Sequence, residues 1–172
     1  AETLHNIRTG YRYVTETRFL RWLALATLAM MILLAFIDYQ TGKIMLDRLG
    51  TAQAISNFTG HLNALSNAVV LPIQIFLLSR LIGRIGLGNA AILFPVSTLV
   101  TSVGLLAVPS IAAATLGHLN RSTFRTLFYN PINSLLYNAV PLRVKGRARA
   151  FIGGVVVPLG SLLGGILLLL PQ

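Results

Sequence analysis

Long apolar segments with almost no charge constrain the fold of this chain more than any other feature. The clearest cover residues 19–37, 87–108 and 150–170, each about 20 residues long. A helix rises about 1.5 Å per residue, so each segment is long enough to cross a hydrocarbon core of about 30 Å. Only 10% of the residues are charged, whereas a soluble domain has about 25%. The sequence therefore predicts an integral membrane protein with an all-α fold, a polytopic transmembrane helix bundle.

The apolar pattern divides the chain into a lead and a bundle. Residues 1–18 are polar and basic, and we interpret them as an amphipathic juxtamembrane lead or a linker. Residues 19–172 form the bundle. Because the sequence starts with Ala1, we expect it to begin inside a longer chain. The bundle has about five predicted spans, at 19–38, 58–78, 87–108, 110–137 and 150–170.

The net charge of +10 is concentrated in the gaps between the spans. Five alternating spans place the lead and two loops on one side, and this side carries Arg8, Arg12, Arg18, Arg80, Arg84, Arg143, Lys145, Arg147 and Arg149. The opposite side carries only Lys43 and Arg48. By the positive-inside rule we expect the N-terminus and the basic loops to be cytoplasmic, in a bacterial cytoplasmic membrane. These cations suit membrane lipids and topology control, so we expect no nucleic-acid partner.

Polar side chains interrupt the second predicted span. Asn63, Asn67 and Gln74 follow i, i+4 and i+11 spacing, which places them on one helical face. A polar stripe on a spanning helix faces protein or a water-filled cavity rather than lipid. Inter-helix hydrogen bonding and cavity lining both explain this stripe.

The fourth predicted span carries two arginines in its interior. His118, Arg121 and Arg125 share one face, and Arg121 lies about 16 Å from the helix start, near the bilayer midplane. Ionisable groups at that depth are costly and commonly functional. Asp38, near the end of the first span, is a further candidate, with an interfacial carboxylate as the alternative. The predicted cavity residues are therefore Arg121, Arg125, His118, Asn63, Asn67, Gln74 and Asp38.

Several kinds of chemistry are not expected. The chain has no cysteine, and its histidines at positions 5, 61 and 118 lie too far apart for metal-ligand spacing. The four carboxylates form no pair close in sequence, and the glycines of residues 83–88 do not follow a strand as a dinucleotide-binding loop would. We expect no metal, no cofactor and no enzymatic activity. Gly160 and Gly164 form a G-x-x-x-G motif, which predicts close helix packing.

Several of these segments resemble major facilitator transporters. The basic loop Ser79–Gly86 is similar to the loop between the second and third helices of each half, and Leu136–Pro141 followed by Lys145–Ile152 is similar to the loop before the eleventh helix. Asp38-Tyr39-Gln40, at the end of the first span, and Asn130-Pro131, in the fourth, also fit this resemblance. Within the superfamily the chain most resembles the ATP/ADP translocase (nucleotide transporter) family of bacteria and plastids and its prokaryotic relatives.

The resemblance implies a major facilitator-like half, corresponding to helices seven to eleven of a twelve-helix fold. Such carriers need two halves around a central site, so the remaining helices are expected on the same carrier or on other membrane subunits. The implied function is alternating-access transport of an anionic small-molecule substrate, such as a nucleotide. The alternative is a non-transporting structural subunit of a larger membrane complex built on the same fold.

Overall fold

The computed structural model describes residues 11–169, apart from the side chain of Arg143. The first ten residues of the predicted lead, with Arg8, lie outside the described residues. The described part of the chain is almost entirely helical and contains no strand, which confirms the all-α prediction.

Residues 11–16 are helical and precede seven longer α-helical elements. These are α1 (Arg18–Leu49), α2 (Ala52–Ile73), α3 (Ser79–Ala107), α4 (Ile111–Leu119), α5 (Asn130–Leu136), α6 (Leu142–Phe151) and α7 (Val157–Leu169). Wider π-helical turns join some of them, at Gln74–Leu78, Asn120–Tyr129 and Ile152–Val156, and a 3-10 turn occupies Tyr137–Ala139.

The first helix is longer than its predicted span. We expected a loop to carry Lys43 and Arg48, but α1 continues through both to Leu49. It ends only where Gly50 adopts a positive φ of 74°, a conformation that glycine adopts without steric cost. Thr51 then caps α2 by accepting a hydrogen bond from the backbone N–H of Ala54.

Both predicted basic loops are helical instead. Residues 79–85 belong to α3, and the helical conformation breaks only at Gly86, with φ 78° and ψ 158°. Arg80 and Arg84 are therefore helix residues. The segment Arg143–Arg149 lies in α6, which begins directly after Pro141. Five of its seven residues are Arg, Lys or Ala, which favour helix, so its charge alone was a poor indicator of a loop.

Proline accounts for two of the π-helical turns. The turns Asn120–Tyr129 and Ile152–Val156 each end two residues before a proline, Pro131 and Pro158. Proline donates no backbone hydrogen bond, and its ring clashes with the carbonyl one turn earlier. A wider turn relieves that clash. The sequence analysis did not predict this change of helix type.

Among the described residues, three helical segments are long and apolar enough to cross a membrane: Arg18–Leu49, Ala52–Ala107 and Val144–Leu169. The second has 56 residues, more than twice the length of about 20 residues that one crossing needs, and it contains the second and third predicted spans on either side of Gly86. The fourth predicted span corresponds to α4, α5 and the π-helical turn between them. It is helical from Ile111 to Leu136, but it is not among the three segments, since Asn120, Arg121 and Arg125 make its interior polar.

Unit 1 is one of two compact units and contains residues 1–35 and 136–172. Its core includes Val14, Leu20, Tyr137 and Ala148. Helices α1 and α7 run parallel. The contacts show this direction: Gly160 packs beside Leu28 and Met31, and Gly164, one turn later on α7, packs beside Ile32 and Ala35, one turn later on α1.

Unit 2 contains residues 36–135. A core of Ile37, Ile44, Met45, Leu105 and Ala114 joins the C-terminal part of α1 to α3 and α4. Helix α2 runs parallel to α4 and the turn after it, since Asn63 contacts His118 and Gln74 contacts Thr126. Helix α3 runs antiparallel to them: Thr98 contacts Asn120, whereas the earlier Phe94 packs on Tyr129.

Candidate functional site

An ion pair between two helices marks the centre of the candidate site in unit 2. Arg121 Nη2 lies 3.1 Å from Asp38 Oδ2. Asp38 is about 16 Å along α1 from Leu49, and Arg121 is about 16 Å from Ser110, the residue before α4. Asp38 therefore lies inside a helix rather than at its end as the sequence suggested. Ser110 caps α4, because its hydroxyl accepts a hydrogen bond from the backbone N–H of Ala113.

Both members of the pair remain accessible. The side chains of Arg121 and Asp38 are 37% and 45% exposed. Full enclosure of an ion pair carries a desolvation penalty that only good geometry and further hydrogen bonds can offset. This pair is instead only partly enclosed.

Helix α2 contributes a polar partner next to the pair. A ring nitrogen of His118, Nε2, lies 2.9 Å from Asn63 Oδ1. Asp38 is also attracted electrostatically by Arg125 and His118. The structure thus brings together one carboxylate, one amide, one imidazole and two guanidinium groups from α1, α2, α4 and the π-helical turn.

The remaining predicted cavity residues differ in position. The Gln74 amide donates a hydrogen bond to the carbonyl oxygen of Thr126, 2.9 Å away, so this end of α2 is also linked to the π-helical turn. Arg125 lies over the ring of Tyr129, with 5.9 Å between the guanidinium carbon and the ring centroid. Asn67 is exposed, and the structure gives it no link to the candidate site.

A buried polar network beside the site was not predicted. Asn120 is only 3% exposed. Its amide donates to Thr98 Oγ1 at 3.1 Å, and its Oδ1 accepts from Ser97 Oγ at 2.8 Å. The sequence offered a signal for Asn120 itself, because this polar residue directly precedes Arg121 in a predicted membrane span. Its partners on α3 are 22 and 23 residues away, and sequence spacing does not reveal such pairs.

A close helix crossing fixes the position of the ion pair. A Cβ atom at Gly117 would collide with Thr41 Oγ1 and would approach Leu105 Cδ1 to 3.3 Å. Thr41 is one turn after Asp38 on α1, and Gly117 is one turn before Arg121. Only glycine at position 117 allows the two helices to approach so closely. The Thr41 hydroxyl is buried and has no hydrogen-bond partner within the described residues.

The residues predicted to set topology are spread over both units. Arg80 and Arg84 are exposed on α3, and Arg147 and Arg149 are exposed on α6. Lys145 donates a 2.6 Å hydrogen bond to Asn138 Oδ1. These positions are compatible with contact with headgroups, and none of the five residues belongs to the candidate site.

Gly160 and Gly164 lie at a helix interface inside unit 1. A Cβ atom at Gly160 would stand 2.7 Å from Met31 Cβ, and one at Gly164 would stand 2.7 Å from Ala35 Cβ. The glycine face of α7 is therefore packed against α1 of the same chain.

The site contains groups that can bind an anion. Its guanidinium, imidazole and amide groups bind carboxylates and phosphates through charge and hydrogen bonds, and the carboxylate of Asp38 lies beside them. Within residues 11–169 no group of three or more histidine and carboxylate side chains is placed to hold a metal ion. Comparison of the chain with protein-family models, curated proteins and solved structures found no match.

Proposed function

We propose that this chain is the C-terminal half of a major facilitator-type carrier that moves an anionic solute by alternating access. The observation that supports this most directly is the Asp38–Arg121 pair, deep in its helices yet more than a third exposed. Charged groups inside a membrane commonly mark substrate or ion pathways. Nucleotides are the solutes that the family resemblance favours, and the phosphates of a nucleotide match a guanidinium.

In this proposal Arg121 is the main anion-binding group. Asp38 holds it in place when no substrate is present, and His118 and Asn63 border the same opening. A bidentate contact between a guanidinium and a phosphate is a strong, directional interaction, and it competes directly with Asp38. Movement of the remaining half against this one would then expose the site to either side of the membrane.

The structural-subunit alternative has no comparable support. A subunit of this kind needs a surface for its partner, and the G-x-x-x-G motif of Gly160 and Gly164 is a motif that helices use to pack closely. This glycine face of α7 packs against α1, where Gly160 contacts Met31, so it does not offer a free surface.

The test is uptake of labelled ATP or ADP by the full-length protein in proteoliposomes. Arg121→Gln removes the charge and should lower uptake by at least about tenfold, since a hydrogen bond to a charged group contributes about 1.5–3 kcal/mol. The matched control is Arg80→Gln, which removes an exposed arginine from the same unit. Equal uptake by both variants, at equal amounts of folded protein, would reject Arg121 as the binding group.

A further inference from the structure

The basic end of unit 1 forms a surface that the proposed transport does not use. We define the basic surface as the described cations of this unit, namely Arg12, Arg18, Arg21, Lys145, Arg147 and Arg149. Glu16 is the only carboxylate among the described residues of unit 1, and Arg12 Nε lies 2.7 Å from its Oε1. The surface therefore has a large excess of positive charge.

Two parallel helices bring these cations to the same end. Helices α1 and α7 run in the same direction, as the contacts of Gly160 and Gly164 show. A basic segment precedes each of them: residues 11–17 precede α1, and α6 leads into α7. Because both segments lie where their helices begin, their charges collect at one end of the unit.

The two basic segments also pack against each other. Val14 is 4% exposed and belongs to the same buried cluster as Ala148 and Tyr137. The rings of Tyr11 and Phe151 meet edge to face at 5.9 Å, and the Arg149 guanidinium lies 5.9 Å from the centre of the Tyr137 ring. The cations are thus carried on an ordered scaffold.

Exposed aromatic residues border the basic surface. Tyr11, Phe19 and Trp22 are 57%, 42% and 60% exposed. Tyrosine and tryptophan, such as Tyr11 and Trp22, favour the headgroup level of a membrane. The surface then continues along α1 into purely apolar side chains, beginning with Leu25, which is 50% exposed.

We infer that this basic surface binds the headgroup of an anionic phospholipid. A phosphodiester matches the arginines, and the acyl chains match the exposed aromatic and leucine side chains directly beside them. A soluble phosphate or a nucleic acid would satisfy the charges alone. The combination of a cationic surface, aromatic residues and an adjoining apolar surface indicates a ligand that has both a charged head and a hydrocarbon tail.

Trp22 is the sole tryptophan of the sequence and lies beside this surface, so its fluorescence reports on bound lipid. The chain is placed in phosphatidylcholine nanodiscs that contain a small fraction of one brominated lipid, either phosphatidylglycerol or phosphatidylcholine. Bromine quenches tryptophan only at short range. The two brominated lipids are compared at equal mole fraction. Quenching by brominated phosphatidylglycerol should indicate that this lipid is about fivefold enriched near Trp22 relative to brominated phosphatidylcholine. About fivefold is the factor expected from one Lys or Arg contact.

Charge removal at the surface supplies the first control. Arg18→Gln, Arg21→Gln and Arg147→Gln are combined in one variant, because all three side chains are exposed and take part in no ion pair between described residues. The matched variant combines Arg48→Gln, Arg80→Gln and Arg84→Gln, which are exposed in unit 2. The first variant should abolish the enrichment, and the second should leave it unchanged.

Three results would overturn the inference. Equal quenching by the two brominated lipids would show that the surface does not select anionic headgroups. An equal loss in both triple variants would assign the effect to net charge alone. Release of the brominated lipid by millimolar inorganic phosphate or by a short RNA would assign the surface to a soluble anion or to nucleic acid.

Discussion

The two units of this protein hold their helices together in different ways. In unit 1 the close contact between α1 and α7 depends on Gly160 and Gly164. Unit 2 also has a close crossing at Gly117, but there polar side chains in addition link α1, α2, α3, α4 and the π-helical turn. Of the buried polar residues, Thr27 alone lies in unit 1, whereas unit 2 contains Thr41, Ser66, Thr98, Ser102 and Asn120.

Membrane physics explains why both solutions exist. Lipid tails are as apolar as leucine, so helices in a bilayer associate through close packing or through polar bonds between them. A glycine contact supplies no side chain that could bind a ligand. Polar links can exchange one partner for another, as Arg121 would do between Asp38 and a substrate anion. The candidate site therefore belongs in unit 2.

The largest expected effect is a loss of stability in unit 1. Gly160→Val places a Cβ atom 2.7 Å from Met31 Cβ and 3.0 Å from the carbonyl oxygen of Leu28. Backbone atoms cannot move aside cheaply, so we expect a loss of at least about 2 kcal/mol in the free energy of unfolding. The measurement is denaturant unfolding in mixed micelles.

Gly165 offers a matched control on the same helix. A Cβ atom there has no neighbour within 4 Å, and Gly165→Val should change stability by less than about 0.5 kcal/mol. If both valine variants unfolded alike, helix propensity rather than packing would dominate unit 1, and the comparison between the units would lose its basis.

The second effect concerns the ion pair of unit 2. Arg121→Met leaves Asp38 without its partner and should cost about 1–2 kcal/mol, a range kept low because both side chains are partly exposed. Adding Asp38→Leu removes the unpaired charge, so the double variant should be more stable than Arg121→Met alone.

A double-mutant cycle on Arg12 and Glu16 of unit 1 is the comparison for this pair. Their side chains are 78% and 57% exposed, so we expect no measurable coupling between them. Additive effects at Asp38 and Arg121 would mean that the interior pair behaves like this surface pair, and its assignment to a site would fail.

Periodicity and charge predicted much of the candidate site from the sequence. The spacing of His118, Arg121 and Arg125 placed them on one face, and polarity in an apolar region singled out Asn63 and Asp38. All five lie in the region that the structure brings together. This worked because an ionisable or amide group in an apolar helix needs a partner from a neighbouring helix.

Other features of the fold could not be predicted in the same way. Charge suggested loops at Arg80 and Arg143–Arg149, yet both segments are helical. The first is interrupted only at Gly86, and the second lies in α6, which begins directly after Pro141. The partners of Asn120 lie on another helix, and the orphaned hydroxyl of Thr41 results from one close crossing. Such contacts depend on how helices pack, and no local pattern encodes them.

The third effect tests the buried polar network of unit 2. Asn120→Ala removes two side-chain hydrogen bonds, but Ser97 and Thr98 retain their bonds to the carbonyl oxygen of Phe94. We therefore expect a loss of about 1 kcal/mol, measured in the same unfolding titration. Asn89→Ala is the control, because Asn89 is exposed and bonds only within its own helix, to Ile85. A loss no greater than that of the control would remove Asn120 from the network.

The smallest effect compares one buried threonine from each unit. Thr41 is 8% exposed and its hydroxyl has no partner within the described residues, whereas Thr27 is 5% exposed and donates a 2.8 Å hydrogen bond to the carbonyl oxygen of Leu23. Replacement by valine removes an unpaired hydroxyl in the first case and a paired one in the second.

Thr41→Val should therefore raise the free energy of unfolding by about 0.5 kcal/mol, and Thr27→Val should lower it by a similar amount. If the two stability changes have opposite signs, the Thr41 hydroxyl of unit 2 does not contribute to packing stability, whereas the Thr27 hydroxyl of unit 1 does. If Thr41→Val is instead the destabilising variant, its hydroxyl has a partner such as a bound water, and the crossing of α1 with α4 at Gly117 is itself polar. The candidate site would then extend one turn beyond Asp38.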